Sequence, residues 1–161
     1  MIARRDFTDE QWYRLRAAPF QVTEAVIEAD PSGTLATGRE LKAVEAELER
    51  VRLDPGENSL IRLVANSLKD DAATDPGAAP ADLPEDGPLP ERVVTVMADL
   101  PAVLDATVDA DTNAAFRTWI VRIAEIAAEA TKEGFAGVAG PTVSDEEQAF
   151  LDRLREALAA G

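Results

Sequence analysis

The chain contains no cysteine, no histidine and few aromatic residues. Among its 161 residues only two Trp, one Tyr and five Phe are aromatic. Without cysteine and histidine the chain cannot form a disulfide, a thiolate or imidazole metal site, or a nucleophile activated by histidine. The shortage of rings argues against stacking of sugars or nucleic-acid bases. Most familiar kinds of catalytic site are therefore excluded.

Positive charge is also scarce. Sixteen Lys and Arg stand against thirty-one Asp and Glu, which gives a formal net charge of -15. This balance repels phosphate backbones and anionic lipid, so we predict no nucleic-acid partner. Residues 134–144 form the longest uncharged stretch, far shorter than the roughly 20 apolar residues of a membrane span. Asp6 precedes any apolar run, so no signal peptide is indicated. We predict a cytoplasmic protein with no membrane insertion.

The apolar residues recur at helical spacing, and alternating strand patterns are nearly absent. The sequence therefore predicts an all-α bundle of about six to seven helices. Two capping boxes, Thr8-Asp9-Glu10-Gln11 and Ser144-Asp145-Glu146-Glu147, mark helix starts, and Phe7 is placed to pack on Trp12 as a hydrophobic staple.

Proline, aspartate and apolar spacing predict the remaining helix boundaries. Pro19 is expected to end or kink the first helix. Between residues 39 and 53, Leu41, Val44, Leu48 and Val51 are expected to form the buried face of a helix. Another helix is expected to begin at Asp54-Pro55. In the second half of the chain, a long helix is expected to begin with Asp111 or Thr112 as its cap.

Residues 70–90 differ in composition from the rest of the chain. They hold five prolines, two glycines and six acidic residues, with almost no large apolar side chains. Such a composition predicts an extended linker. We therefore expect an N-terminal unit at 1–69, a linker at 70–90 and a C-terminal unit at 91–161, with the two units packed as one compact domain.

The two expected units contain similar sequences at an offset of 81 residues. Residues 17–30 match residues 98–111 in the order of apolar and acidic positions, for example Val22 with Val103 and Glu24 with Asp105. One interpretation is a pair of repeated helical hairpins. The other is a chance match between two Ala-rich amphipathic segments.

Acidic residues gather near two predicted helix ends. Carboxylates there oppose the helix dipole, and a Ca²⁺ or Mg²⁺ ion would offset that cost. The candidate ligands are Asp30, Asp109 and Asp111. An EF-hand is excluded, because Ala114 and Ile120 stand where its loop needs Gly and Glu. The alternative is that Asp111 or Asn113 caps a helix and the other acids are solvated.

Glu24 and Glu28, one helical turn apart, allow a third hypothesis. Two carboxylates in different environments can act as acid and base in a hydrolase. A sequence does not show whether a cleft surrounds them, so this stays the weakest of the three functional hypotheses.

The segment Ile27-Glu28-Ala29-Asp30, followed by Gly33 and a helix near Glu40, resembles the acidic turn of the tellurite-resistance TerB-like helical domains. Residues 128–158, with Lys132-Glu133-Gly134-Phe135, Gly140 and Val143-Ser144-x-x-Glu147, resemble the ends of related small bacterial helical proteins. The resemblance covers about a third of the chain. It implies an all-α fold, divalent-metal binding through acids such as Asp30, Asp109 and Asp111, and no enzyme activity.

These observations lead to one main hypothesis. We expect a bacterial helical interaction or stress-associated module that is not an enzyme, needs no cofactor and binds an unidentified protein partner. The alternatives are a Ca²⁺- or Mg²⁺-binding protein and, less favoured, a carboxylate-based hydrolase.

Overall fold

The computed structural model describes residues 2–29, 37–71, 87–133 and 144–159. In these ranges the chain forms seven α-helices, one short 3-10 helix at Arg4–Asp6, and no β-strand. The predicted all-α fold with six to seven helices is confirmed. The α-helices are α1 Asp9–Ala29, α2 Thr37–Leu53, α3 Ser59–Asp71, α4 Leu89–Ala98, α5 Leu100–Asp105, α6 Ala110–Glu133 and α7 Asp145–Ala159.

Helix α6 lies at the centre of the bundle. It packs most extensively against α2 and α1, and it also contacts α3, α5 and α7. Helix α1 contacts α4 and α7 in addition, so helices from both halves of the sequence share one hydrophobic core. Most of the predicted linker, residues 72–86, lies outside the described residues. The core includes the buried side chains of Leu15, Val22, Val44, Val51, Leu60, Phe116, Ile120, Ile123 and Leu154.

Both predicted capping boxes are present. The backbone N–H of Thr8 donates to Gln11 Oε1 at 2.9 Å, and the N–H of Gln11 donates to Thr8 Oγ1 at 3.1 Å. At the start of α7, the N–H of Ser144 donates to Glu147 Oε1 at 3.3 Å and the N–H of Glu147 donates to Ser144 Oγ at 3.1 Å. The predicted staple also forms, since the ring centroids of Phe7 and Trp12 are 5.8 Å apart.

Helix α1 continues through Pro19, so the expectation that Pro19 ends the first helix is wrong, and the alternative expectation of a kink stays a prediction. A proline in a helix interior lacks the N–H that would bond to the preceding turn, and it costs about 3 kcal/mol. Leu15 precedes it and Val22 and Val26 follow it, and all three are fully buried. Burying one side chain of this size contributes about 1.5–3 kcal/mol. Burial on both sides of the proline therefore offsets its cost.

The buried face of α2 differs from the expected one. Val44 and Val51 are buried as predicted and Leu48 is partly buried, but Leu41 is exposed. Glu40 and Glu47 occupy inward positions instead. The observed face uses positions 40, 44, 47 and 51, which also satisfy helical spacing. Hydrophobicity alone does not reveal this face, because half of its members are acids with polar partners.

Helix α3 begins at Ser59, later than the predicted start at Asp54-Pro55. Asn58 is its cap, because Asn58 Oδ1 accepts a hydrogen bond from the N–H of Leu60 at 2.9 Å. Asp54 Oδ1 instead accepts from the N–H of Gly56 at 2.8 Å. This bond closes a turn between α2 and α3, which is the other common use of an aspartate before proline.

The two stretches of the suspected repeat have different conformations. Residues 17–29 lie within the single helix α1. Residues 98–111 cover the end of α4, all of α5, a non-helical turn at 106–109 and the start of α6. The repeat is therefore not confirmed, and the similarity does not extend to backbone structure.

Candidate functional site

Asp109 caps α6, so the predicted cap at Asp111 or Thr112 is wrong. Asp109 Oδ1 accepts a hydrogen bond from the N–H of Thr112 at 2.7 Å. The hydrogen bonds from Thr112 lower the pKa of Asp109, because they favour its charged form. Several capping side chains stand next to one another here, and the start of the helix at Ala110 decides which one is used.

The three predicted metal ligands are not seen together. Asp30 lies outside the described residues. Asp109 is occupied by its capping hydrogen bond, and Asp111 is an exposed residue in the first turn of α6. In the described ranges no three carboxylates are grouped so that they could hold a cation. The calcium or magnesium site stays a prediction.

Glu24 and Glu28 lie one turn apart on the exposed side of α1. Desolvation raises the pKa of Glu24, and the charge of Glu28 raises it further. A raised pKa on one carboxylate of a pair is a feature of acid–base catalysis. Water reaches both side chains on the helix surface, and a raised pKa alone does not define a catalytic site. The hydrolase hypothesis stays a prediction.

Asn113 is a buried polar side chain that joins α5 to α6. Its Nδ2 donates to the carbonyl oxygen of Pro101 at 3.2 Å and to Asp105 Oδ1 at 2.6 Å. Its Oδ1 accepts from Arg117 Nε at 2.7 Å. The amide thus uses both its donor and its acceptor sides, as a buried amide must.

Arg117 extends this chain of hydrogen bonds to α7. Its Nη1 donates to the carbonyl oxygen of Leu158, in the last turn of α7. Carbonyl groups in a last helical turn lack backbone donors, and a cation there is favourable. Both observed acceptors of Arg117 are neutral oxygens, and no carboxylate of the described residues lies within 4.0 Å of its guanidinium. Two hydrogen bonds to neutral oxygens therefore hold the guanidinium of Arg117 in place.

Arg117 lines an open groove between α6 and α7, here called the α6/α7 groove. The groove has a volume of about 440 Å³, within the range of roughly 300–1,000 Å³ that is typical of ligand sites. Positions three and four apart on a helix share one face, so the lining residues of α6 form a continuous strip. Ala114, Thr118 and Val121 of α6 and Leu158 of α7 line the groove together with Arg117 and Arg155.

Arg155 differs from Arg117 in its partners. Its Nη2 donates to Glu125 Oε1 at 2.8 Å and its Nη1 donates to Asp152 Oδ1 at 3.0 Å. The hydrogen bond to Glu125, more than any other contact, raises the pKa of Arg155. Two carboxylates therefore balance the charge of Arg155, whereas Arg117 forms no ion pair with a carboxylate of the described residues.

On its other flank α6 is joined to α2 by a buried carboxylate. Glu47 is 5% exposed and accepts hydrogen bonds from Arg50 Nε at 2.9 Å and Nη2 at 2.8 Å. Arg122 of α6 lies 3.4 Å from Glu47 Oε1. Burial favours a higher pKa for Glu47, but the hydrogen bonds and charge of Arg50, aided by Arg122, outweigh it and lower the pKa.

The sequence analysis missed the residues that shape these two flanks. Asn113 was considered as a candidate helix cap, and Glu47 was not singled out. The spacing of Asn113 to Arg117 and of Glu47 to Arg50 was the available signal. The same spacing is common on exposed helix faces, so it does not reveal burial.

Comparisons with protein-family models, with curated proteins and with solved structures find no match to this chain. The resemblance to TerB-like domains therefore stays a prediction. Of the residues that carry it, Asp30, Gly33 and residues 134–143 lie outside the described residues, and Glu40 is buried in the first turn of α2.

Across residues 2–29, 37–71, 87–133 and 144–159, every helix is too short or too polar to cross a bilayer. The cytoplasmic location stays a prediction.

Proposed function

We propose that this chain is a non-catalytic helical interaction module, and that the α6/α7 groove is its contact surface for a partner protein. The observation that carries the proposal is the groove itself, an open channel between two helices with apolar side chains and two arginines. Grooves of this kind accept an amphipathic helix of another chain.

The packing of α7 supports this function. Phe150, Leu151 and Leu154 of α7 are buried in the core, and Arg117 holds the last turn of α7 by its carbonyl group. Both walls are thus fixed before a partner arrives. A surface formed in advance loses less conformational freedom on binding, which leaves more of the contact energy for affinity.

Site-specific photo-crosslinking tests the proposal. A photoreactive amino acid would replace Thr118, an exposed residue that lines the groove, in cells that naturally express the chain. The matched control places it at Asn66, an exposed position of α3. We expect a discrete crosslinked partner from position 118 alone, and a 1:1 complex when that partner and the chain are purified and mixed.

The same experiment can contradict the proposal. Equal crosslinking patterns from positions 118 and 66 would show that the groove does not select a partner. A crosslinked protein that fails to bind the purified chain in calorimetry would lead to the same conclusion.

A further inference from the structure

We infer that the partner of the α6/α7 groove is an amphipathic helix with an Asp or Glu in its apolar face, and that this carboxylate binds Arg117. The inference rests on the proposed function and names the chemistry of its partner. Three features of the groove lead to it: the charge of Arg117, the orientation of its guanidinium, and the size of the lining side chains.

Charge is the first feature. The chain has about twice as many acidic as basic residues, yet in the described residues no carboxylate pairs with Arg117. Arg155, across the same groove, is balanced by Glu125 and Asp152. An incoming carboxylate would therefore meet a cation that forms no ion pair within the described residues, and complementary charge selects a partner and its register.

The second feature is the fixed orientation of that guanidinium. Arg117 Nε is bonded to Asn113, and Nη1 is bonded to Leu158. Nη2 has no hydrogen-bond acceptor among the described residues. A guanidinium fixed in this way has lost its rotational freedom before binding, and hydrogen bonds between charged groups are stronger than neutral ones.

The third feature is the shape of the lining. Ala114 and Thr118 are small and lie one turn apart on α6, followed by Val121. Small side chains let another helix approach closely, and helices in contact pack with their axes roughly 8–10 Å apart. The groove is open to solvent rather than enclosed, which suits a helix better than a small organic acid.

Synthetic helical peptides test the inference. The probe is an amphipathic peptide of about 16 residues, long enough for four helical turns, with Ala and Leu on one face and a single Glu at the centre of that face. Matched peptides carry Gln or Lys there. We expect the Glu peptide to bind the full chain about tenfold more tightly than the Gln peptide, since hydrogen bonds to a charged group add about that factor. The Lys peptide should bind most weakly.

Variants of the chain assign the effect to Arg117. Arg117→Gln should abolish the preference for Glu over Gln, whereas Arg153→Gln, at an exposed position of α7, should leave it unchanged. Arg117→Lys keeps the charge and should retain part of the preference. The NMR signal of Arg117 Nε–H should shift with the Glu peptide, and amide spectra of each variant report whether it is folded.

Each other outcome overturns the inference. Equal affinity for the Glu and Gln peptides would leave an apolar docking groove, so the proposed function would stand without its carboxylate. A shift at Arg117 produced equally by butyrate would indicate a small-acid site. Failure of every peptide to bind would also reject the helical partner, while crosslinking from Thr118 would still decide the proposed function separately.

Discussion

The two flanks of α6 use arginine in opposite ways. Toward α2, Arg122 pairs with the buried carboxylate of Glu47, so an ion pair joins the two helices where they meet. Toward α7, Arg117 donates to the amide oxygen of Asn113 and to the carbonyl oxygen of Leu158, and both of these acceptors are neutral. One flank is closed by an ion pair and the other is an open groove. The comparison shows that two arginines of one helix can have different kinds of partner, a carboxylate at Arg122 and neutral oxygens at Arg117.

The largest expected effect on stability comes from a buried residue of α7. Leu154 is fully buried, so Leu154→Ala should lower the free energy of unfolding by about 2–5 kcal/mol through lost burial and a cavity. Chemical denaturation measures the change. Arg153→Ala, at the exposed neighbouring position, is the control and should change stability by less than about 0.5 kcal/mol. A small loss at Leu154 would mean that α7 contributes little to the core.

The α2 flank should give the next largest effect. Glu47→Gln removes the charge that Arg50 and Arg122 share, and we expect a loss of about 1–3 kcal/mol at neutral pH. Glu49→Gln is the matched control, because Glu49 lies on the same helix in a more exposed ion pair with Arg52. Similar losses at both positions would show that burial adds nothing to the Glu47 contact.

The effect of Glu47→Gln should also depend on pH. The folded state lowers the pKa of Glu47 below its ordinary value of 4.5. The stabilisation is therefore fully present above pH 4.5 and is lost as the pH falls through the folded-state pKa. Denaturation curves of the wild-type chain and the variant should converge in that acidic range. A difference that stays constant throughout that range would contradict the lowered pKa.

A smaller effect is expected at the rim of the groove. Arg155 and Glu125 are both well exposed, and exposed pairs contribute about 0.2–1 kcal/mol. A double-mutant cycle with Arg155→Gln and Glu125→Gln should give a coupling in that range, which weakens in high salt. The corresponding cycle with Glu47→Gln and Arg122→Gln should give a larger value. A reversed order would remove the contrast between the two flanks.

The smallest expected effect concerns cations. Asp109 is occupied as the cap of α6 and Asp111 is exposed, so we expect no ion-specific change in melting temperature when Ca²⁺, Mg²⁺ or Mn²⁺ is added after EDTA treatment at matched ionic strength. A rise specific to one ion and growing with its concentration would establish a metal site. Asp109→Asn and Asp111→Asn would then locate its ligands.

The sequence predicts local features of this fold well. The capping boxes that begin at Thr8 and Ser144 depend on hydrogen bonds between residues three positions apart, and both are confirmed. Of the two outcomes predicted for Pro19, an end of the helix is wrong, because burial supplied by other helices outweighs the local cost of proline. Local rules fail at positions where the tertiary contacts decide the conformation.

The candidate site could not be predicted for the same reason. Arg117 and Leu158 are 41 positions apart, and no spacing rule connects them. Glu47 and Arg122 likewise meet only because α2 packs on α6. Both contacts require the fold before they can be recognised.

The environment of Asn113 requires a side chain with a hydrogen-bond acceptor on one side and a donor on the other. Arg117 can only donate a hydrogen bond, while the Pro101 carbonyl and an ionised Asp105 can only accept. Aspartate has nearly the same shape as asparagine, yet it would place a carboxylate oxygen, instead of the Nδ2 donor, against both acceptors. Leucine would leave the Nε of Arg117 without its acceptor. Hydrolysis of the Asn113 side-chain amide to a carboxylate would therefore disrupt the hydrogen bonds that link α5, α6 and α7, although the side chain would keep its size.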